Sequence, residues 1–499
     1  MLRADSRTAD PRRVARGALW SGVNTLITKL ATIAVTIFVL RIVSPQDFGT
    51  FAVALVVYTV VSSCSELGLS ASIARRDLDP REIAPAVVVL SICSSLILSA
   101  AMFASAGPLA SMLGAPGAAD SIRILSLSIL FSCLTTVPTA MLTREFRQGR
   151  IFTATAVAFV PSNALLIILA LSGEGAVAFA WSRLAGQVFA GAVVIASVRP
   201  WFWPRWNREP VQRALAFGLP LAGANLLNYT LLNADYAFIG GLLGPVLLGV
   251  YTLAFNIASW STSILGAAIN GVGMPAFSVV KDQPELVGEK AAHWLAVVGL
   301  VAFPMSALTA VLAPDIVHVL YGEKWSAAGP VLSALAVYGG VFVVSLVASN
   351  ILVGTGHAGW VFIIQAVWLG FLVPAVVLGV SAFGLLGAAY AHVAVICVVV
   401  IPVYGCALRR VMTSPWRTCA EPLTRPIAAA LAGASVAALT SLILPVGLPR
   451  LLGAGLLGVV AVAFAARQEI LRRVPVRALQ RLAPKGGRHV QTAVLEGRK

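Results

Sequence analysis

The sequence predicts an all-α polytopic membrane protein with about 14 transmembrane helices. We expect two pseudo-symmetric lobes of six helices around a central cleft, followed by two appended C-terminal helices. Three observations lead to this expectation: the apolar composition, the length of the apolar segments, and an internal repeat.

The composition is that of a chain dissolved mainly in lipid. Of the 499 residues, 59% are hydrophobic and 11% are charged, and the mean hydropathy is +0.89. Only helices and closed barrels satisfy their backbone polar groups inside a bilayer. The apolar segments are long and continuous rather than alternating, which excludes a transmembrane barrel.

The apolar segments are long enough to cross the hydrocarbon, which takes about 20 residues per helix. The boundaries are least distinct at Gly173–Gly175 and at Ser381–Gly384, and the last two spans are the weakest. The predicted spans are 17–40, 48–73, 84–106, 121–143, 151–172, 175–198, 214–240, 246–272, 291–313, 327–353, 359–380, 384–408, 426–446 and 449–466.

The basic residues lie where a membrane protein places them. The net charge of +16 by itself would suggest a nucleic-acid partner. However, thirty of the 36 lysines and arginines fall in alternate loops and in the two tails, and four fall on the opposite side. By the positive-inside rule, we expect a multi-pass protein of the cytoplasmic membrane with both termini cytoplasmic. No nucleic-acid partner is expected.

An internal repeat divides the chain. The segment starting at Gly17 matches the one starting at Gly218, and Ser44-Pro45 through Phe51 matches Gly244-Pro245 through Tyr251, at offsets of 201 and 200. A third match, from Ser172 to Ser381, has an offset of 209. We expect an N-terminal lobe at 1–213, a C-terminal lobe at 214–410, and two further helices with a basic tail at 411–499. Such a parallel duplication is typical of alternating-access transporters.

The order of these motifs resembles one known family. Arg16-Gly-Ala-Leu-Trp-Ser-Gly22, Ser65-Glu66 through Arg76, and Asp235 through Tyr251 are similar to segments of the polysaccharide-unit (Wzx-type) flippases. These belong to the multidrug/oligosaccharidyl-lipid/polysaccharide exporter superfamily. The resemblance covers almost the whole chain. It implies a fold of twelve or fourteen helices in two lobes, and a lipid-linked oligosaccharide carried on a polyprenyl diphosphate.

Charged residues inside the apolar spans are few and mark candidate functional positions, because a charge in hydrocarbon costs several kcal/mol. Lys29 and Arg183 are predicted to be cleft cations that bind the diphosphate of the substrate. Asp235, Glu66 and His392 are candidates for coupling or for ion pairing. A structural pair of Lys29 with Asp235 or Glu66, and of Arg183 with Glu66 or Glu174, is the alternative.

Polar and aromatic residues in the spans could contact the sugar. Asparagines alternatively hold helices together, and aromatic residues alternatively only pack. The candidates are Asn24, Asn225, Asn228, Asn256, Asn270, Gln365, Trp181 and Tyr390.

Two related functions stay open beside the flippase. A cation-coupled multidrug exporter of the same superfamily would be expected to carry more acid than base in its cleft, and a flippase for the peptidoglycan lipid precursor shares the diphosphate chemistry. A membrane glycosyltransferase or polymerase is disfavoured, because the outer loops are short and contain no paired carboxylates. No two of the six cysteines have CxxC spacing, so neither a disulfide nor a metal site is expected. No cofactor is expected. Expected partners are the lipid-linked substrate, membrane lipid and other polysaccharide-assembly membrane proteins.

Overall fold

The computed structural model describes residues 28–65, 69–74, 79–145, 147–199 and 202–473, which fold as helices joined by short connections. No strand occurs in these ranges. Eleven helical segments within them are long and apolar enough to cross a membrane. The predicted all-α, multi-pass membrane class is therefore confirmed, whereas the number of about 14 spans stays a prediction.

The helices follow one another with few intervening residues. Three short 3₁₀ turns lie at Pro116–Ala118, Glu323–Trp325 and Glu421–Leu423, and a π-helix at Ile396–Val400 joins α12 to α13. In chain order the helices are α1 (28–42), α2 (Pro45–Ser65), α3 (Leu69–Ala74), α4 (Pro80–Ala104), α5 (Ala106–Met112), α6 (Ala119–Arg144), α7 (Gln148–Leu171), α8 (Gly175–Ala196), α9 (Arg208–Ser278), α10 (Pro284–Tyr321), α11 (Ala328–Gly354), α12 (Ala358–Val395), α13 (Ile401–Leu408), α14 (Pro415–Ala420), α15 (Thr424–Ile443) and α16 (Leu448–Arg473).

Two of the long helices, α9 and α12, are each interrupted by one glycine. Gly244 in α9 has φ of 79° and Gly384 in α12 has φ of 59°. Glycine adopts this left-handed conformation without steric cost, whereas other residues are strained there. Each long helix therefore consists of two helical segments joined at the glycine, and the break in α12 lies within the boundary predicted at Ser381–Gly384.

The described residues form two compact units, each assembled from segments that are distant in the sequence. Unit 1 contains the described residues up to Ile257, together with Ile316–Val331 and Gln365–Val395. In unit 1, α7 packs along α8, and both α4 and α8 pack on α6. Two aliphatic clusters form much of this packing; their buried members include Leu69, Ile73, Ile83, Val87 and Val137 in one, and Val39, Leu166, Ala170 and Ala178 in the other.

Unit 2 contains Ala258–Asp315, Leu332–Ile364 and the described part of Ile396–Lys499. In it, α15 packs against α16, and Arg425 forms an ion pair with the buried Glu469. At the other end of this pair of helices, Asp315 accepts a hydrogen bond from the backbone N–H of Gly447 at 3.3 Å. These units do not follow the repeat boundaries, so the ranges 1–213, 214–410 and 411–499 stay predictions.

Two repeat-matched helix starts lie against each other within unit 1. A Cβ at Gly49 would overlap the carbonyl oxygen of Pro245, and a Cβ at Gly249 would overlap the carbonyl oxygen of Pro45. Only glycine permits backbones to approach so closely. The contact is reciprocal, as expected if the two halves of the repeat are related by a two-fold axis.

Candidate functional site

A buried polar cluster in unit 1 connects α9 with α12. The break at Gly244 reverses the direction of α9, which brings Tyr251 against Asp235 although they are sixteen residues apart. The Tyr251 hydroxyl donates a hydrogen bond to Asp235 Oδ2 at 2.7 Å, and His392 Nε2 lies 3.6 Å from the same oxygen. Asp235 and His392 are each 3% exposed, and Tyr251 is fully buried.

The hydrogen-bond pattern restricts where protons can reside in this cluster. His392 Nδ1 lies 3.0 Å from the carbonyl oxygen of Ala388, and a carbonyl only accepts, so Nδ1 carries a hydrogen. His392 Nε2 faces the carboxylate, while no described residue donates to Asp235 Oδ1. One additional proton can therefore be held either on Nε2 or on the Asp235 carboxyl group.

Aromatic rings surround the polar cluster. Phe255 packs edge-on to His392 with ring centroids 6.1 Å apart, and Tyr236 packs edge-on to Tyr251 at 5.6 Å. The Tyr251 and Phe255 rings are 5.9 Å apart. Such a lining lowers the local dielectric, which strengthens the interaction between Asp235 and His392.

Arg183, the first predicted cleft cation, lies on α8 and is exposed at the protein surface. Its guanidinium carbon is 4.7 Å from the centroid of the Tyr58 ring on α2. A cation–π contact holds the position of a charge without neutralising it. Arg183 is thus positioned as a cation beside α2, with fork geometry suited to phosphate oxygens.

Lys29, the second predicted cation, lies in the first turn of the described part of α1 and is half-buried. The structure brings Asp235 together with Tyr251 and His392. Glu66, the other acidic candidate, lies outside the described residues. Among the predicted coupling residues, therefore, Asp235 and His392 are neighbours.

The predicted sugar contacts are found in several environments. Trp181 and Tyr390 are 41% and 54% exposed, Asn256 is exposed, and Gln365 is half-buried. Asn270 is exposed and accepts a hydrogen bond from Asn350 at 2.9 Å, so its oxygen has a partner within unit 2. Asn24 lies outside the described residues, and the side chains of Asn225 and Asn228 are likewise not described.

Sequence reasoning missed the tyrosines that organise the two sites. Tyr251 supplies the hydroxyl for Asp235, and Tyr58 supplies the ring under Arg183. Tyr251 ends the second copy of the repeat motif, where it stands opposite Phe51 of the first copy. The first copy has phenylalanine where the second has tyrosine, and this added hydroxyl in an apolar span could have identified Tyr251.

The fold has counterparts among solved structures of helical membrane proteins. The structure aligns with the lipid II flippase MurJ in an inward closed conformation, with a TM-score of 0.77 and 13% identity, covering 92% of this chain and 100% of that chain. It also aligns with a multidrug resistance MATE family transporter of the MOP superfamily in an inward-facing conformation, with a TM-score of 0.60 and 20% identity, covering 77% and 96%. At these identities, the likeness shows the fold alone, a helical membrane fold that this chain shares with both proteins.

The sequence comparisons identify the family. The profile of the family described as "Polysaccharide biosynthesis protein" matches residues 38–330, more than half of the chain, and the chain belongs to this family. It is 28% identical over 389 residues to the succinoglycan biosynthesis transport protein ExoT of Rhizobium meliloti, covering 76% of this chain and 75% of the relative. It is 25% identical over 421 residues to the lipopolysaccharide biosynthesis protein WzxC of Escherichia coli, covering 80% and 83%. The resemblance to polysaccharide flippases of the exporter superfamily is confirmed.

Proposed function

We propose that this protein flips polyprenyl-diphosphate-linked oligosaccharide units from the inner to the outer leaflet of the cytoplasmic membrane by alternating access. The observation that carries the proposal is the alignment with ExoT and WzxC, whose names assign them to succinoglycan transport and lipopolysaccharide biosynthesis. It extends over at least three-quarters of both chains in each case. The transporter fold and the inside-positive charge pattern support the same function.

The substrate needs cations at the point where its diphosphate leaves water. Arg183 provides one, because its position on the Tyr58 ring leaves the positive charge in place for an anion. Lys29, half-buried in α1, provides the second. Fixed positive charges compensate the desolvation of an anion far more effectively in a low-dielectric site than in water. We therefore assign Lys29 and Arg183 to the diphosphate.

The Asp235–His392 pair is proposed to couple transport to an ion. It is a buried titratable pair in the described part of unit 1, and it links two helices of the second predicted repeat. Gain or loss of one proton changes the interaction between α9 and α12, because the pair is close and enclosed by aromatic rings. Trp181, Tyr390, Asn256 and Gln365 are the described candidates for sugar contacts.

Two alternatives share the fold. The structures similar to this chain include a multidrug exporter and a lipid II flippase, which correspond to the two alternatives, but they are at most 20% identical to it. The relatives of higher identity are named for other surface polysaccharides, which favours a polysaccharide repeat unit. An enzymatic role in building the lipid-linked unit is the further alternative that an experiment must separate.

Deletion of the gene in its host tests the proposal. We expect surface polymer to be lost while the lipid-linked oligosaccharide still forms and accumulates on the inner leaflet, with recovery on wild-type complementation. The polymer and the extracted lipid-linked intermediate are measured in parallel. If the intermediate does not form, the protein is a synthase; if cells lyse on depletion, the substrate is the peptidoglycan precursor.

A further inference from the structure

Two cations and a tryptophan tie the end of α1 to the end of α10 within unit 1. Arg41 donates from Nε to the carbonyl oxygen of Leu320 at 2.8 Å, and from Nη2 to that of Val319. In the reverse direction, Lys324 Nζ donates to the carbonyl oxygens of Arg41 and Val43, each at 2.8 Å. We call Arg41, Lys324 and Trp325 the strap.

The strap satisfies groups that a helix end always leaves open. The last four carbonyls of a helix have no partner within the helix, and they form the negative end of its dipole. Arg41 caps the C-terminal end of α10, while Lys324 caps the C-terminal end of α1. Each helix end thus receives its cation from the other segment, so separating the segments exposes both ends together.

The strap continues into a buried aromatic contact. Trp325 is fully buried, and its indole Nε1–H donates to the carbonyl oxygen of Leu40 at 2.8 Å. Its ring packs edge-on against Phe48, with centroids 5.9 Å apart, and Phe48 in turn packs on Phe179. Partial burial lowers the pKa of the Lys324 ammonium below its ordinary value, against the opposing effect of the nearby Asp47 carboxylate. Trp325 therefore excludes water from the junction of α1, α2 and α8 with the 316–331 segment, while Arg41 and Lys324 lie at the exposed edge of this junction.

The reciprocal glycine contact lies beside the strap. Gly49 is one turn into α2, which begins two residues after Val43, a carbonyl partner of Lys324. Its partner segment begins at Pro245. In the predicted topology, these turns all lie at the outer ends of their helices, and each contact joins the first predicted repeat to the second.

We infer that Arg41, Lys324 and Trp325 form the outer gate of the transport path. The close backbone contact at Gly49 and Gly249 is part of the same gate. The inference rests on the proposed transport function. In the structure the gate is closed, and the outward-facing state requires the five strap hydrogen bonds to break together.

Distance measurements between spin labels test the gate without any substrate. Labels are placed at Glu174 and Val246, two exposed positions at this end, in purified full-length protein whose six cysteines have been replaced. Wild type is expected to show mainly a short distance. Arg41→Ala should raise the ratio of long to short distances by about tenfold or more, because two charge-assisted hydrogen bonds are lost. Lys324→Met, which keeps the side-chain length, should act in the same direction.

Two matched controls lie at the same end of the fold. Arg123 has a 46% exposed side chain that pairs with Asp120 on its own helix, so Arg123→Ala should leave the distances unchanged. A Cβ at Gly107 would meet nothing within 4 Å, so Gly107→Ala should also leave the distances unchanged. A Cβ at Gly49 would overlap the backbone of Pro245, so Gly49→Ala should favour the long distance.

The outcomes separate the gate from the proposed function. Unchanged distances in folded Arg41→Ala and Lys324→Met, or an equal change in Arg123→Ala, would overturn the gate. If the distances respond but deletion of the gene leaves surface polymer intact, the gate stands and the polysaccharide function is wrong.

Discussion

Removing the Tyr251 hydroxyl is the most direct test of the buried cluster. In Tyr251→Phe, the ring keeps its contacts with Tyr236 and Phe255, and no side-chain carbon is lost. Asp235 Oδ2 loses its 2.7 Å donor, while Oδ1 has no donor among the described residues. The substitution therefore removes the buried hydrogen bond from Tyr251 to the Asp235 side chain.

The magnitude follows from the environment of the bond. A hydrogen bond to a charged group contributes about 1.5–3 kcal/mol, and the contribution lies toward the upper end when the remaining partner stays buried. Both partners are at most 3% exposed. We expect Tyr251→Phe to lower the free energy of unfolding by about 2–3 kcal/mol, which changes the unfolding equilibrium roughly thirtyfold or more.

Unfolding of the purified protein in mixed micelles with increasing SDS measures this loss. Tyr229→Phe is the matched control, because Tyr229 lies on the same helix and is 37% exposed. It should change stability by less than about 0.5 kcal/mol. If Tyr251→Phe is as stable as this control, the hydrogen bond from Tyr251 to Asp235 does not stabilise the fold and the reasoning is refuted. In Asp235→Asn, the Tyr251→Phe substitution should cost less, because the acceptor is no longer ionised.

Further predictions concern the cleft cations and a glycine contact. Arg183→Ala and Lys29→Ala should each lower flipping about tenfold to a hundredfold at equal expression, measured as surface polymer, whereas Lys29→Arg should retain part of the activity. Full activity in either alanine variant would remove that residue from the diphosphate site. Gly379→Ala should destabilise the protein by about 1–3 kcal/mol, because its Cβ would overlap the backbone of Gly387. Gly370→Ala on the same helix meets nothing within 4 Å and should be neutral or stabilising in the same unfolding assay; equal losses in both variants would contradict this packing.

Several features of the site were accessible from the sequence because they depend on local chemistry. Asp235 and His392 stand out as ionisable residues in apolar spans, and Arg183 as a cation in such a span. Their partners were not accessible. Asp235 meets Tyr251 only because α9 reverses at Gly244, and His392 joins them from more than a hundred residues away. Contacts between residues so far apart in the sequence depend on how the helices pack, and no local sequence pattern predicts that packing.

The strap illustrates the same division. The sequence marks Arg41 and Lys324 as two of the four cations on the side that the positive-inside rule leaves poor in charge. It does not reveal that each donates to the carbonyls at the other's helix end, since backbone acceptors have no sequence signature.

By itself, the sequence determined that this is a helical multi-pass membrane protein, because lipid requires long apolar segments and internal backbone hydrogen bonds. Its glycines and prolines also determined where several helices begin or break, because those residues have distinct backbone preferences. Only the tertiary structure decided which polar groups meet. A buried charge is stable only beside specific partners, and those partners come from helices whose relative placement is set by side-chain packing over the whole unit.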